Sequence, residues 1–220
     1  MLVEPWLAGL FSLVAVIVPA ARTNAAPTSV IAFGDSTCVG TGARAGGYVD
    51  DIHRRLQEIR PGTRLESYCR NGATVAEVLR DQLTRWRGKG GVVLVGVGAN
   101  DVTAGVAAET FAVRFQELVR EIGARQPEAV VISNIPDASI APAVPPSFKA
   151  TVNQRIRQFN AIIAQAAARG GAVVFDTFAL SQQLLPRHRE FFSGDGYHPS
   201  DAGYRAWAEH LWPLVASALR

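Results

Sequence analysis

A serine hydroxyl is a poor nucleophile unless a base takes its proton and a third group fixes the base's tautomer. The chain carries candidates for all three. Val30-Ile31-Ala32-Phe33-Gly34-Asp35-Ser36 reads as a buried strand that stops in a Gly-Asp-Ser turn. Far along the chain, Asp195-Gly196-Tyr197-His198-Pro199 supplies a carboxylate and an imidazole three residues apart. The pairing predicts nucleophilic chemistry at Ser36, with His198 as base and Asp195 as its orienting acid. The other histidines read as packing or surface residues: His53 and His210 fall in helical patterns, and His188 sits among Arg187, Arg189 and Glu190. Asp176 reads as structural, and Asp35 and Asp101 as braces for their loops through backbone hydrogen bonds.

These residues need a scaffold that brings distant loops together. Short β-branched runs alternate with stretches of helical period, the pattern of a parallel sheet with helices on its faces. Strands are expected at 29–33, 64–68, 92–97, 129–133 and 172–175. Helical faces are marked by Tyr48, Ile52, Leu56 and Ile59, by Val75, Val78, Leu79 and Leu83, and by Phe111, Phe115, Leu118 and Ile122. Val152, Ile156, Phe159 and Ile163 mark a fourth. A last helix from about Asp201 to Leu219 turns Tyr204, Trp207, Leu211 and Leu214 inward, with Asp201 or Ser200 as N-cap. In such a sheet functional loops lie beyond the carboxyl ends of the strands. Three of those ends are polar: Gly34-Asp35-Ser36, Asn71-Gly72-Ala73-Thr74 and Gly96-Val97-Gly98-Ala99-Asn100-Asp101. The segment Asn134–Ser147 holds four prolines among apolar residues and reads as an ordered loop, either an edge of a substrate site or simply packed on the body.

The 220 residues suit one domain, and a net charge of +3 from 22 basic and 19 acidic residues, with no block of like charge, argues against a nucleic-acid partner. Residues 1–26 stand apart: an uncharged apolar core from Leu10 to Val18 is followed by small residues, as in a secretory signal peptide. Glu4 before the apolar run and Arg22 after it reverse the usual polarity, and an uncleaved N-terminal anchor is the alternative. The expected location is secreted or cell-envelope, with a single domain over 27–220. Cys38 and Cys69 fall in loops at one end of the sheet, where a disulfide and two buried thiols are both open readings.

The four motifs, in this order, resemble the GDSL-type serine hydrolases, also called SGNH hydrolases. Gly34-Asp35-Ser36 matches the first block, the glycine of Gly72-Ala73-Thr74 the second, Gly98-Ala99-Asn100-Asp101 the third and Asp195-Gly196-Tyr197-His198 the last. Thr37 stands where the signature has Leu, and Ser67-Tyr68-Cys69-Arg70-Asn71-Gly72 departs from the usual second block. The resemblance implies a flavodoxin-like three-layer α/β/α sandwich on a five-stranded parallel sheet. It also implies Ser36 as nucleophile, His198 as general base and then acid, and Asp195 as the carboxylate of the triad. The oxyanion hole would be the backbone N–H groups of Ser36 and Gly72 with the side-chain amide of Asn100. No cofactor or metal is expected.

The expected function is therefore metal-independent hydrolysis of carboxylic esters, esterase- or lipase-like, through an acyl-enzyme. Carbohydrate O-acetyl esters and acyl thioesters are alternatives on the same machinery, and the apolar 134–147 loop tilts the reading toward acyl chains. An α/β-hydrolase is excluded because Gly34-Asp35-Ser36-Thr37-Cys38 lacks the Gly-x-Ser-x-Gly elbow. A metal site built from Asp35, Asp101 and His198 lacks paired-ligand spacing, and a non-catalytic flavodoxin-like binding module has no use for these groups together. Membrane contact is expected only through an uncleaved N-terminal segment, and the default state is a monomer.

Overall fold

The computed structural model describes residues 28–219; the expected leader over 1–26 lies outside the described residues. Five strands, β1 (Ser29–Gly34), β2 (Arg64–Ser67), β3 (Val92–Gly96), β4 (Ala129–Ser133) and β5 (Val173–Phe175), form one sheet in the order β2-β1-β3-β4-β5. Every neighbouring pair is parallel. This is the doubly wound, flavodoxin-like order expected. Only strand ends shift, each by one residue.

Side chains alternate across the sheet and meet helices on both faces. Ile31, Phe33, Val93, Val95 and Ile132 pack with Phe111, Phe115, Leu118 and Ile122 of one helix and Ile156, Phe159 and Ile163 of another. On the opposite face Val30, Ala32, Val92, Leu94 and Val131 meet Tyr48, Ile52 and Leu56, and Tyr204, Trp207, Leu211 and Val215. Burying each such large side chain contributes roughly 1.5–3 kcal/mol, and covering both faces is why the central strands read as unbroken apolar runs. Edge strand β2 is the exception, its four residues half-buried or exposed.

The helices are α1 (Ser36–Val39), α2 (Tyr48–Ile59), α3 (Val75–Glu77), α4 (Ala99–Thr103), α5 (Ala108–Gly123), α6 (Pro146–Gly170), α7 (Thr177–Leu184) and α8 (Asp201–Ala218). Ser200 caps α8, accepting from Gly203 N. In α8 Val215 is buried, and Leu214, expected inward, is only partly so. Ile59, also expected inward, is exposed in the last turn of α2.

Three segments differ from expectation. Proline does not keep 134–147 wholly irregular: Ala138–Ile140 makes a 3-10 turn, and α6 begins at Pro146, where a missing N–H costs nothing because the first helical turn leaves that donor unpaired anyway. The stretch after Thr74 is not one regular helix, since α3 widens into π turns over Val78–Gln82 and tightens again over Leu83–Arg85. Helix α7 had no strong periodic signal; Asp176 starts it by accepting from Ala179 N.

Cys38 and Cys69 form a disulfide with Cα atoms 5.7 Å apart. The bond ties α1 to the loop after β2. Closing a loop of 31 residues restricts the unfolded chain by about 4 kcal/mol on the chain-entropy estimate.

Candidate active site

The turn that carries Ser36 is shaped by backbone crowding. A Cβ on Gly34 would fall 2.1 Å from the carbonyl oxygen of Gly96, and φ there is +159°, so glycine is needed for β1 and β3 to run this close. Asp35 N donates to that same Gly96 oxygen at 3.1 Å. Asp35 caps α1, its Oδ1 accepting from Thr37 N (3.0 Å) and Thr37 Oγ1 (2.9 Å). Gln82, buried in the wide turn, pairs with both polar groups of Gly34: Gly34 N donates to Oε1 (2.9 Å), and Nε2 donates to Gly34 O (2.8 Å). Its role was invisible in sequence, where a glutamine beside an apolar helical stripe reads as a solvated side chain.

Ser36 opens α1 and faces the loop between α7 and α8. His198 Nε2 lies 2.9 Å from Ser36 Oγ, and His198 Nδ1 lies 2.6 Å from Asp195 Oδ2. A carboxylate at Nδ1 holds the proton there and leaves Nε2 to accept from the serine hydroxyl. The other carboxylate oxygen, Asp195 Oδ1, accepts from Ser193 Oγ (2.8 Å), Tyr197 N (2.8 Å) and His198 N (2.9 Å). Partial desolvation works to raise the Asp195 pKa, but the hydrogen bonds from His198, Tyr197 and Ser193 outweigh it and hold the carboxyl below its ordinary range. The loop is closed by Ser193 N donating to His198 O (2.8 Å) and braced at its middle by Ala143 N donating to Gly196 O (3.0 Å). Ser193 is a second residue the motifs did not single out.

Asn100, in the first turn of α4, donates through Nδ2 to Ala73 O at 3.0 Å, and its side chain lines a cavity of about 110 Å³ together with Ser36 and His198. An amide nitrogen has a second N–H to offer. The next residue, Asp101, is fully buried and accepts from Val75 N (3.0 Å), locking α4 to the start of α3, just past the loop after β2. Gly72 lies on the loop between β2 and α3, exposed and outside the cavity lining. Its φ of +75° is what calls for glycine, since a Cβ would meet nothing within 4 Å; the crowding argument applies at Gly34 instead.

The other three histidines and Asp176 are engaged elsewhere. His53 Nε2 contacts Thr63 O, His210 Nδ1 contacts Ala206 O and His188 pairs with Glu190. Asp176 accepts from Asn134 Nδ2 and caps α7. Among the described residues no group of three His, Cys, Asp or Glu side chains is placed to hold a metal ion, and no helix is long and apolar enough to cross a membrane.

Burial raises Asp35 to about 6 against the hydrogen bonds from Thr37, and burial likewise raises Asp101 to about 6. A carboxyl that binds its proton more tightly when folded destabilises the fold as pH rises from its unfolded to its folded value, here from about 4 to about 6. Asp195 acts in the opposite sense and only at lower pH. The urea midpoint is therefore expected to fall between about pH 4 and pH 7, with Asp35 contributing at most about 3 kcal/mol. Asp35→Asn should flatten that fall; an unchanged slope would assign the titration elsewhere.

A family model described as the GDSL-like lipase/acylhydrolase family matches residues 32–206. A GDSL-like esterase of Mycobacterium tuberculosis is 33% identical over 128 residues, which cover 56% of this chain and 39% of that protein, so the match spans well under half of the relative's length. Among solved structures, an acetylxylan esterase from Geobacillus stearothermophilus superposes with a TM-score of 0.67 at 18% identity, over 87% of this chain and 95% of that one. A lipase/acylhydrolase from Enterococcus faecalis gives a TM-score of 0.66 at 20% identity, over 88% and 97%. At these identities the two structures speak for a shared fold.

Proposed function

We propose that this chain, which belongs to the GDSL-like lipase/acylhydrolase family, is a carboxylic-ester hydrolase in which Ser36, His198 and Asp195 carry out the hydrolysis in two steps. The observation that carries this reading is the relay of 2.9 Å from Ser36 Oγ to His198 Nε2 and 2.6 Å from His198 Nδ1 to Asp195 Oδ2. Ser36 Oγ attacks the ester carbonyl carbon while its proton passes to Nε2, and the carbonyl electron pair moves onto oxygen. Collapse of that tetrahedral species breaks the C–O bond, the departing alkoxide takes the proton from Nε2, and the acyl group remains on Ser36. Water then repeats the sequence: it loses a proton to Nε2, adds to the acyl carbon, and collapse returns the proton to Ser36 and releases the acid. Asp195 stays ionised throughout and steadies the imidazolium.

Charge on the tetrahedral oxygen is met by the Asn100 amide and by the backbone N–H groups of Ser36 and Gly72. Asn100→Ala is expected to lower kcat by about 10²–10³-fold. A change in KM alone would instead make Asn100 a ground-state contact. The direct test of the whole reading is a serine-directed phosphonate, which should attach to Ser36 and abolish ester hydrolysis together; attachment elsewhere, or hydrolysis that survives it, would overturn it.

The disulfide supports a working location outside the reducing cytosol, since such bonds persist in oxidising compartments. It agrees with secretion or residence in the cell envelope.

A further inference from the structure

We propose that the cavity beside Ser36 holds the acyl chain of the ester, an unbranched apolar chain of about four to eight carbons, and that Leu180 and Leu184 of α7 set its length. The proposal rests on Ser36 being the nucleophile. One face of α7 runs along the cavity, contributing Thr177, Leu180, Ser181 and Leu184 at helical spacing, with Leu185 just past its end. Ile135, Pro136, Ala138 and Ala141 of the loop after β4 form another wall, and Phe191, Phe192 and Trp207 complete it.

The polar side chains in this lining are already engaged. Asp137 Oδ1 accepts from Ser139 N (3.1 Å) and Ser139 Oγ, and its Oδ2 accepts from Asn153 Nδ2 (2.7 Å) and Gln182 Nε2 (3.1 Å). Ser181 Oγ donates to Phe178 O and accepts from Asp137 N. Thr177 Oγ1 donates to Asn134, and Thr37 Oγ1 to Asp35. Beyond the reacting groups, what remains is the Tyr197 hydroxyl and the buried indole N–H of Trp207. A sugar ring presents several hydroxyls that would lose water here without replacement, at a cost for each. An alkyl chain has none to lose.

The same bonds fix the cavity's shape before substrate arrives. Asp137 ties its loop to α6 through Asn153 and to α7 through Gln182 and Ser181. Asn160 of α6 holds both polar groups of Ile135. At about 110 Å³ the cavity is somewhat smaller than the ~150 Å³ apolar cavity that accommodates benzene, which sets the scale at about six carbons. The acyl arm is the natural occupant. It stays through both steps, whereas the alcohol must leave and water must enter against His198 Nε2.

The test uses p-nitrophenyl esters from acetyl to octanoyl, and a second series of acetates with lengthening alcohols. In the wild type kcat/KM should rise about two- to fourfold per methylene from acetyl to hexanoyl, with little trend in the alcohol series. Leu184→Trp should cut the hexanoyl-to-acetyl ratio at least tenfold. Leu180→Phe, a milder change on the same face, should lower that ratio too and serves if the first variant unfolds. A flat acyl series, a ratio untouched by both variants, or an effect confined to the alcohol series would overturn the proposal. None of these would harm the nucleophile reading, which fails separately if Ser36→Ala hydrolyses p-nitrophenyl acetate at the wild-type rate.

Discussion

Ser36→Ala is expected to lower kcat toward esters by at least ~10⁴-fold, with the unfolding midpoint nearly unchanged. Among the described residues the hydroxyl makes one side-chain hydrogen bond, to His198 Nε2, so its loss removes about 0.5–1.5 kcal/mol from the fold. On the proposed mechanism it also removes the atom that would form the covalent bond. Without it only water held near Asn100 and His198 can attack, and in serine hydrolases such residual catalysis lies several orders of magnitude below the intact rate. The measurement is kcat for p-nitrophenyl acetate beside the first-turnover burst, which should vanish. A variant within tenfold of wild type, or one that keeps its burst, would place the acyl group on another residue.

Asp195→Asn is expected to cost about 10⁴-fold in kcat while leaving KM within a few-fold, as loss of the orienting carboxylate does in other triads. The local bonding makes this variant unusually informative. Three donors, Ser193 Oγ, Tyr197 N and His198 N, converge on Asp195 Oδ1. An amide at this position must keep its oxygen toward them and turn its NH₂ toward His198 Nδ1. That nitrogen must then accept a hydrogen bond, the proton moves to Nε2, and His198 can no longer take a proton from Ser36. The fold should be preserved, because all three loop bonds survive. A drop of less than tenfold would show that His198 is oriented by something other than Asp195.

Much of this was legible in the sequence because the signals were of the kind that burial enforces. Continuous runs such as Val92 to Val95 read as strands because both faces of the sheet are covered, and Phe111, Phe115, Leu118 and Ile122 recur at helical spacing because one side of α5 meets the sheet. The relay was legible because Asp195 and His198 are neighbours on one loop. What escaped were polar residues working across the fold. Gln82 holds Gly34 from 48 positions away, and Asp137 fastens α6 and α7 to the cavity wall; neither leaves a periodic trace. Helix α7 escaped for a related reason: its apolar face covers a cavity, so Leu180 and Leu184 lack the strong periodic partners that mark a core helix. At Gly72, singled out in the sequence for its backbone N–H, what calls for glycine is a left-handed backbone angle, which no short motif announces.

The bond between Cys38 and Cys69 lies two residues past Ser36 and three before Gly72. Two segments that leave the sheet from separate strands are thereby made to fluctuate as one body, and thermal wandering of either carries the other with it. Relative displacement between Ser36, the proposed nucleophile, and Gly72, a proposed oxyanion donor, is suppressed even when both travel together against the rest of the molecule.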